Sequence, residues 1–187
     1  MPPKVRITKE EIIEAALRIV RESGDEALNA RNIAAALGCS TQPVFSNFPS
    51  MVELRLAVVE RADMLYESYI KEEIESEKYP AYKASGMAYI RFAVEEKQLF
   101  RLLYMRDRTD ERNIELSDGT KRILSMIQKT TGFDEETTKL FHLEVWAFVH
   151  GIATMLATGF EKLDFDLISA MLTDVYQGLL KRFKEKE

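Results

Sequence analysis

The chain has 187 residues and a formal net charge of −5 at pH 7, with 46% of its residues hydrophobic and 30% charged. This composition is typical of a soluble globular protein. Charges interrupt the long apolar stretches, and the first residues lack the apolar segment of a secretory signal, so we expect neither a membrane span nor export. The single cysteine, Cys39, excludes an intrachain disulfide and suits a cytoplasmic location.

The whole sequence favours helix over strand. It has eight glycines and five prolines, and no stretch shows the alternation of a half-buried strand. The first predicted helix begins with Thr8 and Glu11, which have the spacing of a capping box. It extends to about Glu22 and ends at Gly24, with an apolar face formed by Ile12, Ile13, Ala16, Leu17 and Val20.

Two short helices joined by a tight turn follow between residues 28 and 48. Asn29 can cap the first of them, and Gly38 stands where a left-handed residue ends a helix at low cost. Ser40 can cap the second, and Pro43 falls in its first turn, where a missing N–H costs nothing. The apolar residues on the shared inner face are Ile33, Ala34, Leu37, Val44 and Phe48.

The second of these helices has an outer face of short, uncharged polar residues. A helix-turn-helix has this pattern, because its second helix presents such side chains to base edges in the major groove. An αα-hairpin with a merely solvated polar face fits the spacing about equally well.

The longer sequence around these two helices favours the helix-turn-helix over the αα-hairpin. NIAAALGCS followed by TQPVFSNF resembles the signature of the DNA-binding domain of TetR-family transcriptional regulators, and the match extends from Thr8 to Leu54. The resemblance implies contacts with the bases and phosphates of a pseudo-palindromic, double-stranded operator. The implied DNA-binding residues are Arg6, Thr8, Arg31, Ser40, Thr41, Gln42, Val44, Phe45, Ser46 and Asn47, with Lys4 beside Arg6.

Three residues depart from the family's usual pattern. Tyrosines are common in the family at the positions of Phe45 and Asn47, and a lysine is common at the position of Met51. Each loss removes a phosphate contact, which lowers DNA affinity without changing the sequence that is read. We therefore expect weaker binding than is usual for the family, but not its absence.

A long helix comes next and has no internal glycine or proline. It should run from Met51 to about Glu77 as a stiff connector. We place a DNA-binding domain at residues 1–50 and a ligand-binding and dimerisation domain at 51–187. Further helices are predicted at 80–95, 97–107, 120–131, 134–159 and 164–184, with a loop and helix start at 109–118.

The last two helices carry more apolar surface than one chain of this size can cover. Small or flexible residues recur every four positions at Ala147, Gly151, Met155 and Gly159. We expect the two helices to pair with their copies in a homodimer, as the family resemblance also implies. The segment from Trp146 to Gly151 also resembles the WxxxHG pattern of one C-terminal subgroup of the family.

A pocket for an organic ligand is expected in the second domain. His142, Trp146 and His150 share one helix face, but two histidines eight residues apart are too distant for one metal ion. His150 and Trp146 are either pocket groups or plain core residues, and both interpretations stay open. The predicted ligand-binding residues are Met64, Met87, Tyr89, Phe92, Phe100, Tyr104, Met105, Trp146 and His150.

No catalytic constellation, phosphate-binding loop or metal-spaced cluster stands out, so we expect no enzyme, no cofactor and no metal. The sequence predicts an all-α, homodimeric, cytoplasmic TetR-like regulator. We expect a repressor that is relieved by a small apolar or aromatic ligand. The alternatives are a ligand-binding helical dimer with little DNA affinity and a helical protein–protein adaptor.

Overall fold

The computed structural model describes residues 7–106 and 117–185, and all longer regular elements in these ranges are α-helices. The all-α prediction is confirmed. The helices are α1 (Lys9–Ser23), α2 (Ala30–Ala36), α3 (Gln42–Asn47), α4 (Met51–Glu75), α5 (Ala81–Glu95), α6 (Lys97–Tyr104), α7 (Asp118–Thr131), α8 (Glu135–Thr158) and α9 (Phe165–Lys184). Lys4, Arg6 and most of the predicted loop at 109–118 lie outside the described residues.

Side-chain caps explain why several helices begin where they do. Thr8 and Glu11 form both hydrogen bonds of a capping box at the start of α1. Asn29, Asp134 and Asp164 each accept a hydrogen bond from a main-chain N–H in the first turn of the helix that follows. These bonds satisfy N–H groups that have no partner within the helix, so the sequence sets these boundaries locally.

The start of α3 differs from the prediction. Thr41, not Ser40, is the capping residue, and its side chain makes no capping hydrogen bond. Pro43 does lie in the first turn, as predicted. Because proline has no N–H group, the first turn of α3 has one main-chain donor fewer that needs a capping partner. The six-residue length of α3 leaves most of its stability to packing rather than to its own hydrogen bonds.

The structure divides into two compact units. The first comprises Met1–Leu65 and Glu96–Arg106, so α6 belongs with α1, α2, α3 and the start of α4. A carboxylate anchors α6 in this unit: Glu96, which is 3% exposed, accepts hydrogen bonds from the guanidinium of Arg21 on α1. The fully buried apolar side chains of this unit include Ile12, Ile33, Phe48, Leu54, Leu99 and Phe100.

The second unit comprises Tyr66–Glu95 and Asp107–Glu187, and its described helices are the end of α4 with α5, α7, α8 and α9. Its core is rich in aromatic residues. Phe141 lies 5.7 Å from Phe133, 5.5 Å from Phe183 and 5.5 Å from Tyr176, measured between ring centroids. Edge-on and tilted ring contacts of this kind add to the stabilisation that burial provides.

The helix α8 is long and apolar enough to cross a membrane on length and composition alone. The core helix of a soluble protein has the same properties. Eight of its residues are buried, among them Phe141, Val149 and Ile152, which places much of its apolar surface against neighbouring helices.

Candidate functional site

The helices α2 and α3 form a helix-turn-helix in the first unit. Ile33 of α2 and Val44 of α3 are fully buried, and Phe48, at the end of α3, is buried with them. Gly38 lies in the turn with φ of +63°, a conformation that residues with a Cβ atom rarely adopt. The inner face predicted from the sequence therefore holds the two helices together, which leaves the opposite face of α3 to solvent.

The solvent-facing surface of α3 carries most of the nearby residues predicted to bind DNA. Gln42 and Ser46 are exposed, Thr41 is half-buried, and the Phe45 side chain is 52% exposed. Val44 is the exception, because its side chain is 1% exposed and packs in the core, where it has no surface to offer DNA.

Two of these residues also bond within their own helix. The hydroxyl of Ser46 donates to the main-chain oxygen of Gln42 at 2.9 Å. The amide of Asn47 donates to the main-chain oxygens of Pro43 at 2.8 Å and Ile7 at 3.4 Å. Asn47 therefore ties α3 to the segment before α1 in this conformation, while its amide oxygen keeps its acceptor capacity.

The residues predicted to position phosphates lie around this surface. Thr8 caps α1 at an exposed position, and Ser40 is exposed in the turn. Arg31 is exposed at the start of α2 and forms no ion pair within the described part of the chain, unlike Arg55, which pairs with Asp25. The guanidinium of Arg31 thus remains available to an external anion. Arg6 lies outside the described residues.

The second unit contains a cavity of about 550 Å³ between α5, α7, α8 and α9, with the end of α4 also contributing. Pockets that bind small organic molecules usually measure about 300–1,000 Å³. Its wall is mostly apolar and aromatic. The aromatic and imidazole side chains that line it are Tyr66, Tyr82, Tyr89, His142, Trp146 and Tyr176.

A chain of hydrogen bonds fixes one part of this wall. Burial raises the pKa of Tyr89, which outweighs the opposite effect of its hydrogen bond with Trp146, so its hydroxyl stays protonated. The Tyr89 hydroxyl lies at hydrogen-bond distance, 2.9 Å, from Nδ1 of His150. The His150 ring stacks on Trp146 with 4.9 Å between centroids, and its Nε2 lies 3.5 Å from the hydroxyl of Thr154.

A second tyrosine–histidine pair stands beside the first. The hydroxyl of Tyr82 lies 3.1 Å from Nδ1 of His142. Burial raises the pKa of Tyr82 and lowers the pKa of His142, so at neutral pH a protonated hydroxyl faces a neutral imidazole. Both histidines of the chain thus face a tyrosine hydroxyl in the wall of the cavity.

Lys83 is the formally charged residue among the described residues that line the cavity. Lys83 of α5 donates from Nζ to the hydroxyl of Thr173 on α9 at 2.7 Å, and Nζ lies 4.9 Å from the centroid of the Tyr79 ring. The Thr173 hydroxyl passes its own hydrogen to the main-chain oxygen of Ser169. Its lone pair is therefore directed to the ammonium group, which holds the two helices together at this point.

The structure brings together only part of the predicted ligand-binding set. Tyr89 and Trp146 line the cavity. His150 contacts both of them but does not line it. Met87 and Phe92 are buried in the core of the second unit without lining the cavity. Four others belong to the first unit and do not line it: Met64, which is 60% exposed, Phe100, Tyr104 and Met105.

The predicted residues that lie outside the cavity were chosen by side-chain type and not by position. Met64 and Met105 were chosen as flexible side chains, yet both face solvent. Tyr82, Lys83 and Tyr176 line the cavity and were not in the set. For α5 a signal existed, since Tyr82, Gly86 and Tyr89 follow one another at helical spacing and share one face.

The described part of the chain thus combines a helix-turn-helix in one unit with an aromatic-lined cavity in the other. The sequence also matches a family model described as the tetracyclin repressor-like, C-terminal domain over residues 82–176, slightly more than half of the chain. The chain therefore belongs to the TetR family of transcriptional regulators. A search of curated protein sequences gave no match.

Solved structures of low sequence identity share the fold. A TetR-family transcriptional regulator from Vibrio parahaemolyticus is 17% identical, with a TM-score of 0.65 over 91% of this chain and 97% of that one. A TetR-like regulator from Rhodococcus sp. RHA1 is 14% identical, with a TM-score of 0.63 over both full chains. The multidrug binding protein EbrR, complexed with imidazole, is 16% identical, with a TM-score of 0.59 over 89% of this chain and 88% of that one.

Proposed function

We propose that this protein binds a pseudo-palindromic DNA operator through α3 and represses transcription. The observation that carries the proposal is the exposed face of α3, where Gln42, Phe45 and Ser46 project from a helix whose other face is buried. Residues of this type read base edges and methyl groups in the major groove. In this arrangement residues 1–50 act as the DNA-binding domain of a cytoplasmic regulator.

We further propose that a small apolar or aromatic molecule binds in the cavity and relieves repression. Support comes from the size of the cavity and from its aromatic lining. The similar fold of EbrR, which is described as a multidrug binding protein, is consistent with this use. A ligand changes DNA affinity only if it binds one conformation of the protein more tightly than the other, so the effect is a linkage between the two sites.

The active form in this proposal is a homodimer that pairs through α8 and α9. Two leucines of α8, Leu140 and Leu143, are 50% and 56% exposed. Gly151 of α8 and Gly178 of α9 have open space where a Cβ would stand, so a second helix can approach closely there. Residues 51–187 thus carry both ligand binding and dimerisation.

Substitutions on α3 test the DNA-binding part of this proposal. Gln42→Ala should reduce affinity for an operator fragment by about tenfold, because a good contact with a base contributes about 1–3 kcal/mol. Lys139→Ala is the control, since Lys139 is an exposed residue of α8 that pairs with Glu135. Binding would be measured by fluorescence anisotropy at two salt concentrations.

The salt dependence shows whether the protein contacts DNA phosphates, and the comparison of the two variants shows whether α3 reads the bases. The proposal expects affinity to fall steeply with salt, because phosphate contacts release counterions. Equal affinity of Gln42→Ala and Lys139→Ala for an operator, or no salt-dependent binding by the folded protein, would contradict it.

A further inference from the structure

The wall of the cavity carries formal charge of one sign. Among the described residues that line it, Lys83 is the sole formally charged side chain, and no aspartate or glutamate is present. A charged ligand group inside an apolar cavity needs an opposite charge to replace its lost hydration. The lining therefore suits an anionic group and offers no carboxylate to a cationic one.

The ammonium group of Lys83 has N–H donors that form no hydrogen bond with the described residues. It uses one for the hydroxyl of Thr173, and its contact with the Tyr79 ring needs none. Within the described ranges no carboxylate lies at ion-pair distance from it. An ammonium has three N–H donors, so a ligand can be received without breaking the bond to Thr173.

Two further donors line the same cavity. His142 is neutral, and in the tautomer in which its Nδ1 accepts from Tyr82 its Nε2 carries a hydrogen. The hydroxyl of Tyr176 has no hydrogen-bond partner among the residues that the structure describes, and burial raises its pKa, so it keeps its proton. A lysine, an imidazole N–H and a phenol are all donors, and together they match the lone pairs of an acidic group.

We propose that the cavity takes an amphipathic monocarboxylate. Its carboxylate is bound by Lys83, and its apolar or aromatic body lies among the tyrosines and Trp146. A single ammonium balances one negative charge, whereas a phosphate dianion is usually met by arginines or several cations. This inference rests on the proposed function only in that the cavity binds a ligand; it adds the charge and chemical class of that ligand.

Three probes of nearly equal size and different charge test this class. They are biphenyl-4-ylacetate, biphenyl-4-ylacetamide and 2-(biphenyl-4-yl)ethylammonium, measured on the full-length protein by isothermal titration calorimetry. The proposal expects the carboxylate to bind at least about tenfold more tightly than the ammonium. It also expects Lys83→Met to weaken carboxylate binding by about tenfold while the affinity of the amide changes by less than about threefold.

Matched variants separate charge from folding. Lys139→Met removes one positive charge outside the cavity and should leave all three affinities unchanged, while Lys83→Arg keeps the charge and should keep the preference for the carboxylate. Urea unfolding shows whether each variant is folded. Equal binding of the three probes would overturn the charge preference but leave a ligand cavity in place. Failure of the carboxylate to bind, or an ammonium that binds as tightly, would overturn the proposal whatever the DNA affinity.

Discussion

At the scale of single residues, the Tyr89 hydroxyl joins two side chains of α8 that also stack on each other. It lies 2.9 Å from Nδ1 of His150, whose ring stacks on Trp146, and Trp146 also acts on the pKa of the hydroxyl. Tyr89 and Trp146 line the cavity, and His150 is held against both of them. A buried donor or acceptor that loses its partner costs more than the net value of the bond that it made.

Tyr89→Phe should accordingly lower the free energy of unfolding by about 1–3 kcal/mol, because it removes the hydrogen bond between the Tyr89 hydroxyl and Nδ1 of His150. Tyr176→Phe is the matched control. Its hydroxyl makes no hydrogen bond with the described residues, so its loss should change stability by less than about 0.5 kcal/mol. Urea unfolding measures both, and equal losses would contradict the role given to Tyr89.

The histidines predict how stability depends on pH. Burial lowers the pKa of both His142 and His150 below 6.5 in the folded protein, whereas the unfolded chain titrates near 6.5. As the pH falls through 6.5, the unfolded state binds protons that the folded state does not, so stability decreases. This loss continues until the folded pKa is reached and then levels off.

His142→Gln should make this loss smaller between pH 7 and pH 5.5, since the amide still accepts from Tyr82 but does not titrate. The histidine that remains, His150, should keep part of the effect. Thermal melts at several pH values would measure it. The same decline in the variant and the parent protein would show that protonation of His142 does not contribute.

The sequence predicted well those side-chain positions that depend on the spacing of residues within one helix. Trp146 and His150 are four residues apart, and the stacking of their rings follows from that spacing. The position of Val44 on the inner face was also evident from its spacing to Phe48, and its inclusion among DNA contacts conflicts with its burial. Lys83 was missed because its role depends on Thr173, ninety residues away in the chain.

At the scale of elements, the helix boundaries were largely readable because caps are local. Thr8 and Asn29 cap the helices that they were expected to cap, and Asp134 and Asp164 cap the helices that were predicted to begin at those positions. The start of α3 was not predicted correctly, because Ser40 was expected to cap it and no side chain does. The cavity was not readable either, since it needs the register of α5, α7, α8 and α9 against one another, and no sequence window contains that information.

The helix α4 provides residues to both compact units and has no internal glycine or proline. If it carries the linkage between ligand and DNA, breaking it should reduce the effect of a ligand on DNA affinity. We expect this from Met64→Pro, because a proline inside a helix costs about 3 kcal/mol. Met64→Ala is the control, since Met64 is exposed and alanine favours helix.

The measurement is operator affinity with and without a ligand that binds the cavity. Met64→Gly, which costs only about 1 kcal/mol, provides a milder break should the proline variant fail to fold. A full ligand response in a folded Met64→Pro protein would exclude α4 as the connection. The control must keep the response of the parent protein.

At the scale of the whole molecule, the exposed leucines of α8 predict the oligomeric state. Leu143→Lys should convert a dimer to a monomer at micromolar concentration, because it places an ammonium in an apolar interface. Leu56→Lys is a close control, since Leu56 of α4 is 57% exposed and Leu143 is 56% exposed. Sedimentation equilibrium gives the mass of each. A dimer that survives Leu143→Lys would place the interface elsewhere.

The claim that this protein is a sequence-specific dimeric regulator is tested most directly by selection from a random duplex library. The full-length protein would be incubated with the library at moderate salt, and the bound fragments would be sequenced. We expect a pseudo-palindrome whose half-sites are centred about 34 Å apart, one turn of DNA, or a multiple of that spacing. Recovery of no sequence above background by a folded dimer would contradict the account.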